Sequence, residues 1–100
     1  MASITILYPT GPAFDLEYYI QTHMPLAAAS WKQLGLRGWE VVQFVEGPYQ
    51  IQCILRFDSL AAWEAASTGP VFENLVADIP RFTAAQPLII SGESRASDKF

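Results

Sequence analysis

The spacing of apolar residues changes period along this chain, and the order of those changes limits the possible folds more than any other feature. Ser3 to Tyr8 alternates, with Ile4, Ile6 and Tyr8 on one face and Ser3, Thr5 and Leu7 on the other, as a short strand does. Pro9-Thr10-Gly11-Pro12 closes it with a turn. From Leu16 to Leu34 the period lengthens. Leu16, Tyr19, Ile20, His23, Leu26, Ala27, Trp31 and Leu34 form one stripe when wound at about 100° per residue, centred near Leu16, Ala27 and Leu34. Asp15 is placed to cap this helix and Gly35 to end it.

The shorter period then returns twice. Leu36 to Glu46 sets Trp39, Val41, Gln43 and Val45 against Glu40, Val42, Phe44 and Glu46. After Gly47-Pro48-Tyr49, the run Gln50 to Phe57 sets Ile51, Cys53, Leu55 and Phe57 against Gln50, Gln52, Ile54 and Arg56. So short a connection implies an antiparallel hairpin. Asp58 or Ser59 caps a second helix through Ser67, with Leu60, Trp63 and Ala66 turned inward and Gly69 as its stop. Pro70 suits the first position of another short helix carrying Val71, Phe72, Leu75 and Val76. Pro80 breaks that helix, and Phe82 to Gly92 reads as the last strand. The order βαββαβ predicts an α+β, ferredoxin-like domain: a four-stranded antiparallel sheet with helices on one face. We place this domain at residues 1–92, with a polar tail at 93–100 that is mobile or packs on a partner.

A single helical layer leaves the second face of the sheet uncovered, and here composition matters. Of 100 residues, 51% are apolar and only 16% charged, which excludes a disordered chain. Leu7, Val42, Phe44 and Ile54 have alternation that sends some of them to the uncovered face. An apolar sheet face of that kind marks an interaction surface, so a homodimer closed sheet to sheet is expected. The net charge is −4 and no basic cluster occurs, so nucleic acid is not expected as a partner. No run of 18 apolar residues is present to span a membrane. The start, Met1-Ala2-Ser3-Ile4-Thr5, has neither the basic flank nor the apolar run of a secretory signal. Cys53 is alone and no zinc-ligand spacing occurs. These features fit a soluble protein of the reducing cytoplasm.

His23 is the only histidine, and it lies inside the apolar stripe of the first helix. Pro25 follows two residues later. A proline there removes a backbone donor and clashes with the preceding turn, and it disfavours helical angles at Met24. The helix is therefore expected to kink or break beside the imidazole, opening space next to it. A lone histidine on an apolar face is commonly just a satisfied core residue, and a proline in a long helix is commonly just a kink; the two together, amid Tyr18, Tyr19 and Trp31, point to a site. Tyr8, Tyr19, Trp31 and Trp39 are candidates to line a pocket for an aromatic ligand. Cys53 is a second catalytic candidate if it faces the same cavity as His23, where a thiol and an imidazole form a nucleophile–base pair. No phosphate-cradling glycine motif, paired carboxylate or metal triad is evident.

The runs Ile4-Thr-Ile-Leu-Tyr8-Pro9, Phe14-Asp15-Leu-Glu-Tyr18-Tyr19 and His23-Met24-Pro25-Leu26 resemble the EthD family. So do Phe57-Asp58-Ser59 with Trp63, and Ile79-Pro80-Arg-Phe82-Thr83 leading to Gln86-Pro87. The resemblance covers roughly Ile4 to Ser91 and implies a dimeric α+β barrel. Its superfamily includes cofactor-free monooxygenases, muconolactone isomerases, small polyketide cyclases or decarboxylases, and haem enzymes. The family's histidine matches His23, with Tyr19 and Pro25 beside it.

The expected function is a small enzyme with no cofactor and no metal, acting on an apolar or aromatic carbonyl or lactone compound in a catabolic or secondary-metabolic pathway. His23 would transfer the proton as general base or acid, in an isomerase, cyclase, lyase or decarboxylase reaction. A non-catalytic protein that binds a small molecule for a degradation pathway is the alternative. A haem-dependent or cofactor-free monooxygenase is the third.

Overall fold

The structure is a computed structural model that describes residues 1–99. Four strands, β1 (Ala2–Pro9), β2 (Leu36–Gln43), β3 (Tyr49–Phe57) and β4 (Leu88–Glu93), form one sheet in the order β2-β3-β1-β4. Every neighbouring pair is antiparallel, so the ferredoxin-like arrangement predicted from the periodicity is the one observed.

Register sorts the side chains by face. Ile4 pairs with Leu55, Ile6 with Cys53 and Tyr8 with Ile51, and Trp39 and Val41 join that face opposite Leu55 and Cys53. These residues, with Ala2 and Phe57, meet the helices in a single core. On the other face Thr5 lies between Ile54 and Ile90, and Leu7 between Gln52 and Leu88. Leu88 and Ile90 are 46% and 51% exposed. Among the described residues no helix covers this face, and none is long and apolar enough to cross a membrane.

The first helical segment, expected as a helix over 16–34 that kinks or breaks beside His23, changes its winding three times. It opens as α1 (Leu16–Tyr18), widens into a π-helical turn (Tyr19–His23), resumes as α2 (Met24–Trp31) and tightens to a 3₁₀ turn (Lys32–Leu34). Asp15 caps the start, its Oδ1 accepting from the Tyr18 N–H at 3.1 Å. Gly35 ends it at φ +116°, where an added Cβ would lie 3.0 Å from that of Ala62.

The wide turn amounts to one extra residue, which rotates everything after it by about 100° relative to a straight helix. That corrects the predicted stripe. Ile20, Leu26 and Leu34 are 40%, 49% and 50% exposed, while Met24, absent from the stripe, is buried. Tyr19, His23, Met24, Ala27 and Trp31 form the actual inner face. The interruption expected beside Pro25 is real, but it takes the form of this turn. Met24 keeps helical angles (φ −68°, ψ −40°), because Pro25 stands at the second position of α2, after the wide turn has taken up the irregularity.

Two more helices complete the layer. Ser59 caps α3 (Leu60–Ala66), its side chain accepting from the Ala62 N–H. Pro70 opens α4 (Pro70–Asp78), which runs into a 3₁₀ turn (Ile79–Arg81). The last strand is shorter than expected: Phe82–Pro87 leaves the sheet to clamp the start of α1. The Asp15 N–H donates to the Phe82 carbonyl at 2.8 Å, and the Thr83 hydroxyl to the Ala13 carbonyl at 2.8 Å. β4 extends to Glu93, one residue into the segment assigned to the tail, and the Ser94 N–H donates to the Met1 carbonyl. Phe100, the end of that assigned tail, lies outside the described residues.

Candidate functional site

The π turn sets the site. It places Tyr19 and His23 one turn apart with their rings stacked, centroids 5.2 Å apart and planes 14° from parallel. The clamp of residues 82–87 puts Phe82 edge-on to the imidazole at 4.7 Å. Phe14 and Tyr8 extend this cluster through edge-to-face contacts, a geometry that aromatic quadrupoles favour. His23 is thus only 6% exposed.

A buried imidazole needs a polar partner, and α4 supplies one. His23 Nδ1 lies 2.9 Å from Asp78 Oδ2, and the Tyr18 hydroxyl donates to Asp78 Oδ1 at 2.8 Å. Arg81 Nε approaches the same carboxylate at 3.6 Å from an exposed position. Burial pushes the Asp78 carboxyl up, but the hydrogen bonds from His23 and Tyr18 and the charges of His23 and Arg81 outweigh it. The net result is a pKa below the ordinary carboxylate value. The hydrogen bond to Asp78 in turn raises the Tyr18 phenol. An ionised Asp78 can only accept, so Nδ1 carries a proton and Nε2 is the nitrogen left to exchange one.

His23 belongs to the wall of a narrow, open-mouthed cleft between α2, α4 and the sheet. Tyr8, Tyr19 and Trp31 line it, with Leu75 from α4 and Ile89 from β4. Three of the four predicted wall residues therefore share a cavity with the histidine. Trp39 does not: it is half-buried on β2 and borders a separate hollow with Lys32 and Arg37. The phenols of Tyr8 and Tyr19 are pushed far up, chiefly by burial, and stay protonated.

Cys53 is fully buried beneath this cleft and is not part of its wall. Its sulfur packs 3.8 Å from Met24 Sδ, and burial pushes the thiol up to about 11. The thiol–imidazole pairing considered from the sequence is not formed, because His23 turns Nδ1 to Asp78 and Cys53 faces Met24. Among the described residues no three His, Cys, Asp or Glu side chains converge on a point that would hold a metal ion.

Asp78 is the residue the sequence reading missed, since 55 positions separate it from His23. One local signal was available. A carboxylate in the last turn of a helix stands at the negative end of the macrodipole and needs compensating partners. Phe82 was likewise read as part of a strand rather than as a ring against the histidine.

No protein-family model matches the chain, and neither does any curated protein. Solved structures do share its fold. An EthD-like protein from Ralstonia eutropha JMP134 superposes with a TM-score of 0.82 at 24% identity, over 92% of this chain and 89% of that one. An ethyl tert-butyl ether (EthD) family protein from Bacillus halodurans C-125 gives 0.73 at 21% identity, over 95% and 99%. An antibiotic biosynthesis monooxygenase-like protein from Deinococcus radiodurans gives 0.67 at 13% identity, over 99% and 96%. The chain has the α+β fold of EthD-like and antibiotic biosynthesis monooxygenase-like proteins.

Proposed function

We propose that this chain is an EthD-family enzyme that uses His23, held by Asp78, to move a proton on an apolar or aromatic carbonyl compound without a cofactor. The observation that carries the reading is the Asp78–His23 pair set into the wall of an apolar cleft. A carboxylate on Nδ1 fixes the tautomer and orientation of the ring and stabilises the imidazolium that forms, leaving Nε2 to react. In the forward step Nε2 takes the proton from the carbon beside the carbonyl, and the bond's electron pair passes to the carbonyl oxygen as an enolate. Return of that proton to another carbon of the conjugated system completes an isomerisation, with no electron acceptor consumed. Tyr8, Tyr19 and Trp31 are the ligand-binding wall. The cleft lining gives Trp39 and Cys53 no part in this scheme.

Exchange of α-protons tests it. 2-Tetralone in deuterium oxide, followed by proton NMR, should lose its α-signals faster with the protein than with buffer. His23→Ala should remove that acceleration, about 10²–10⁴-fold for a positioned acid–base group, while keeping the native circular dichroism. Equal exchange by both proteins would overturn the mechanism. Binding of the ketone without accelerated exchange would favour the second reading, a carrier of apolar small molecules, which the almost wholly apolar cleft lining supports.

A homodimer belongs to the same proposal. Leu7, Val42, Ile54, Leu88 and Ile90 share the uncovered sheet face, and pairing two such faces would remove them from water. Light scattering at micromolar concentration should give twice the mass of the chain; a monomer there would count against it.

A further inference from the structure

Trp31, one of the residues that line the cleft, carries a donor with nothing to donate to. Trp31 is 3% exposed, and its Nε1 is, among the described residues, the one buried side-chain nitrogen or oxygen without a hydrogen-bond partner. Buried indole N–H groups ordinarily find an acceptor. The rings packed on the Trp31 indole are Phe57 and Trp63, edge-on with centroids 5.7 Å away, and Phe72, stacked at 6.4 Å. A water molecule needs two to four polar partners to reside in such a place, and the indole supplies one. An apolar ligand bearing a single acceptor oxygen meets the requirement better.

The spacing adds a dimension. Trp31 lies eight residues beyond His23, which is about 12 Å along a helix, and both residues line the same cleft. We propose that the Trp31 indole N–H is a second recognition point, taking a carbonyl, hydroxyl or ether oxygen at the end of the ligand remote from His23. The ligand class is then an apolar, ring-bearing molecule that reaches along the cleft with oxygen functions at both ends. This rests on the reading of the cleft as a ligand site, and it concerns binding rather than turnover.

A matched pair of probes separates the two. 2-Acetylnaphthalene and 2-isopropenylnaphthalene have nearly the same shape, and only the first carries an acceptor oxygen. Their affinities are compared in the wild type, Trp31→Phe and His23→Gln, and the assigned Trp31 indole proton is followed in the ¹H–¹⁵N spectrum. The ketone should move that proton downfield, and the alkene should not. The ketone-to-alkene preference should fall about 5-fold in Trp31→Phe, the scale of one hydrogen bond, and persist in His23→Gln. A preference lost in His23→Gln but kept in Trp31→Phe would overturn the assignment, as would an indole proton that does not respond to the ketone. Failure of both probes to perturb any cleft residue would overturn it together with the ligand-site reading. If Trp31→Phe does not fold, the wild-type indole response still decides. Exchange activity lost with the indole response intact would break the proton-transfer mechanism alone.

Discussion

At one end of the cleft the His23 imidazole is held by a stacked tyrosine, an edge-on phenylalanine and a carboxylate that is itself held by Tyr18. At the other, Trp31 sits among three aromatic rings with its N–H unanswered. Both ends belong to the same helical segment, so the contrast comes from what packs against each. The end of α4 brings Asp78 to the first, and the body of α3 and α4 brings Trp63 and Phe72 to the second. On the function proposed above, the difference separates two jobs: a finished hydrogen-bond network would fix the reacting group, and an unfinished one would be completed by a ligand.

The largest effect that would break this contrast is loss of the reacting group. His23→Ala should cut α-proton exchange by about 10²–10⁴-fold, measured by NMR, and leave ketone affinity nearly unchanged. Removing its packing should cost structure as well. Phe82→Ala is expected to destabilise by about 3–5 kcal/mol in urea unfolding, because Phe82 is 4% exposed and touches Tyr8, Phe14, Tyr18, Tyr19 and His23.

The next effect depends on pH. Asp78 has a lowered pKa in the folded protein, so it binds protons more weakly there than in the unfolded chain, whose value is about 3.9. Its contribution to stability is present above that value and is lost as pH falls through the lower folded one. Asp78→Asn should therefore unfold more easily than the wild type at neutral pH, and the gap should close below about pH 4. A constant gap across that range in urea titrations would show that Asp78 contributes through packing alone. Tyr18→Phe removes one donor to this carboxylate and should cost about 0.5–1.5 kcal/mol. Arg81→Ala should be smallest, below about 0.5 kcal/mol, since an exposed ion pair is screened by water.

Much of this arrangement was legible in the residues. Alternation grouped Ile4 with Tyr8, and Ile51 with Cys53, Leu55 and Phe57, because a strand's period tolerates no drift, and the register puts both groups on the inner face. Ser59 and Gly35 marked helix ends through chemistry that acts within a few residues. His23 was expected on the inner face, and it is buried there. What could not be read had non-local or cumulative causes. The exposure of Leu26 and Leu34 follows from one extra residue in the π turn, which no periodicity template contains. Asp78 meets His23 only through tertiary packing. The shorter β4 reflects a contest between sheet and clamp, in which Thr83 and Phe82 bond to the start of α1 instead.

The wide turn at Tyr19–His23 has a consequence for how this sequence can change. The extra residue in that turn sets the angle at which everything after it meets the sheet. Loss of the exposed Thr22 would turn His23 by about 100° relative to Tyr19 and Asp78 and carry Pro25, which has no N–H to donate, into the interior of a regular helix. The deletion should therefore break the Asp78–His23 contact without giving an unbroken ladder from Leu16 to Trp31. Substitutions at Ile20, Gln21 or Thr22, all exposed, leave the turn's length intact and should pass with little penalty. At this point of the chain, selection has to guard the count of residues more closely than their identity.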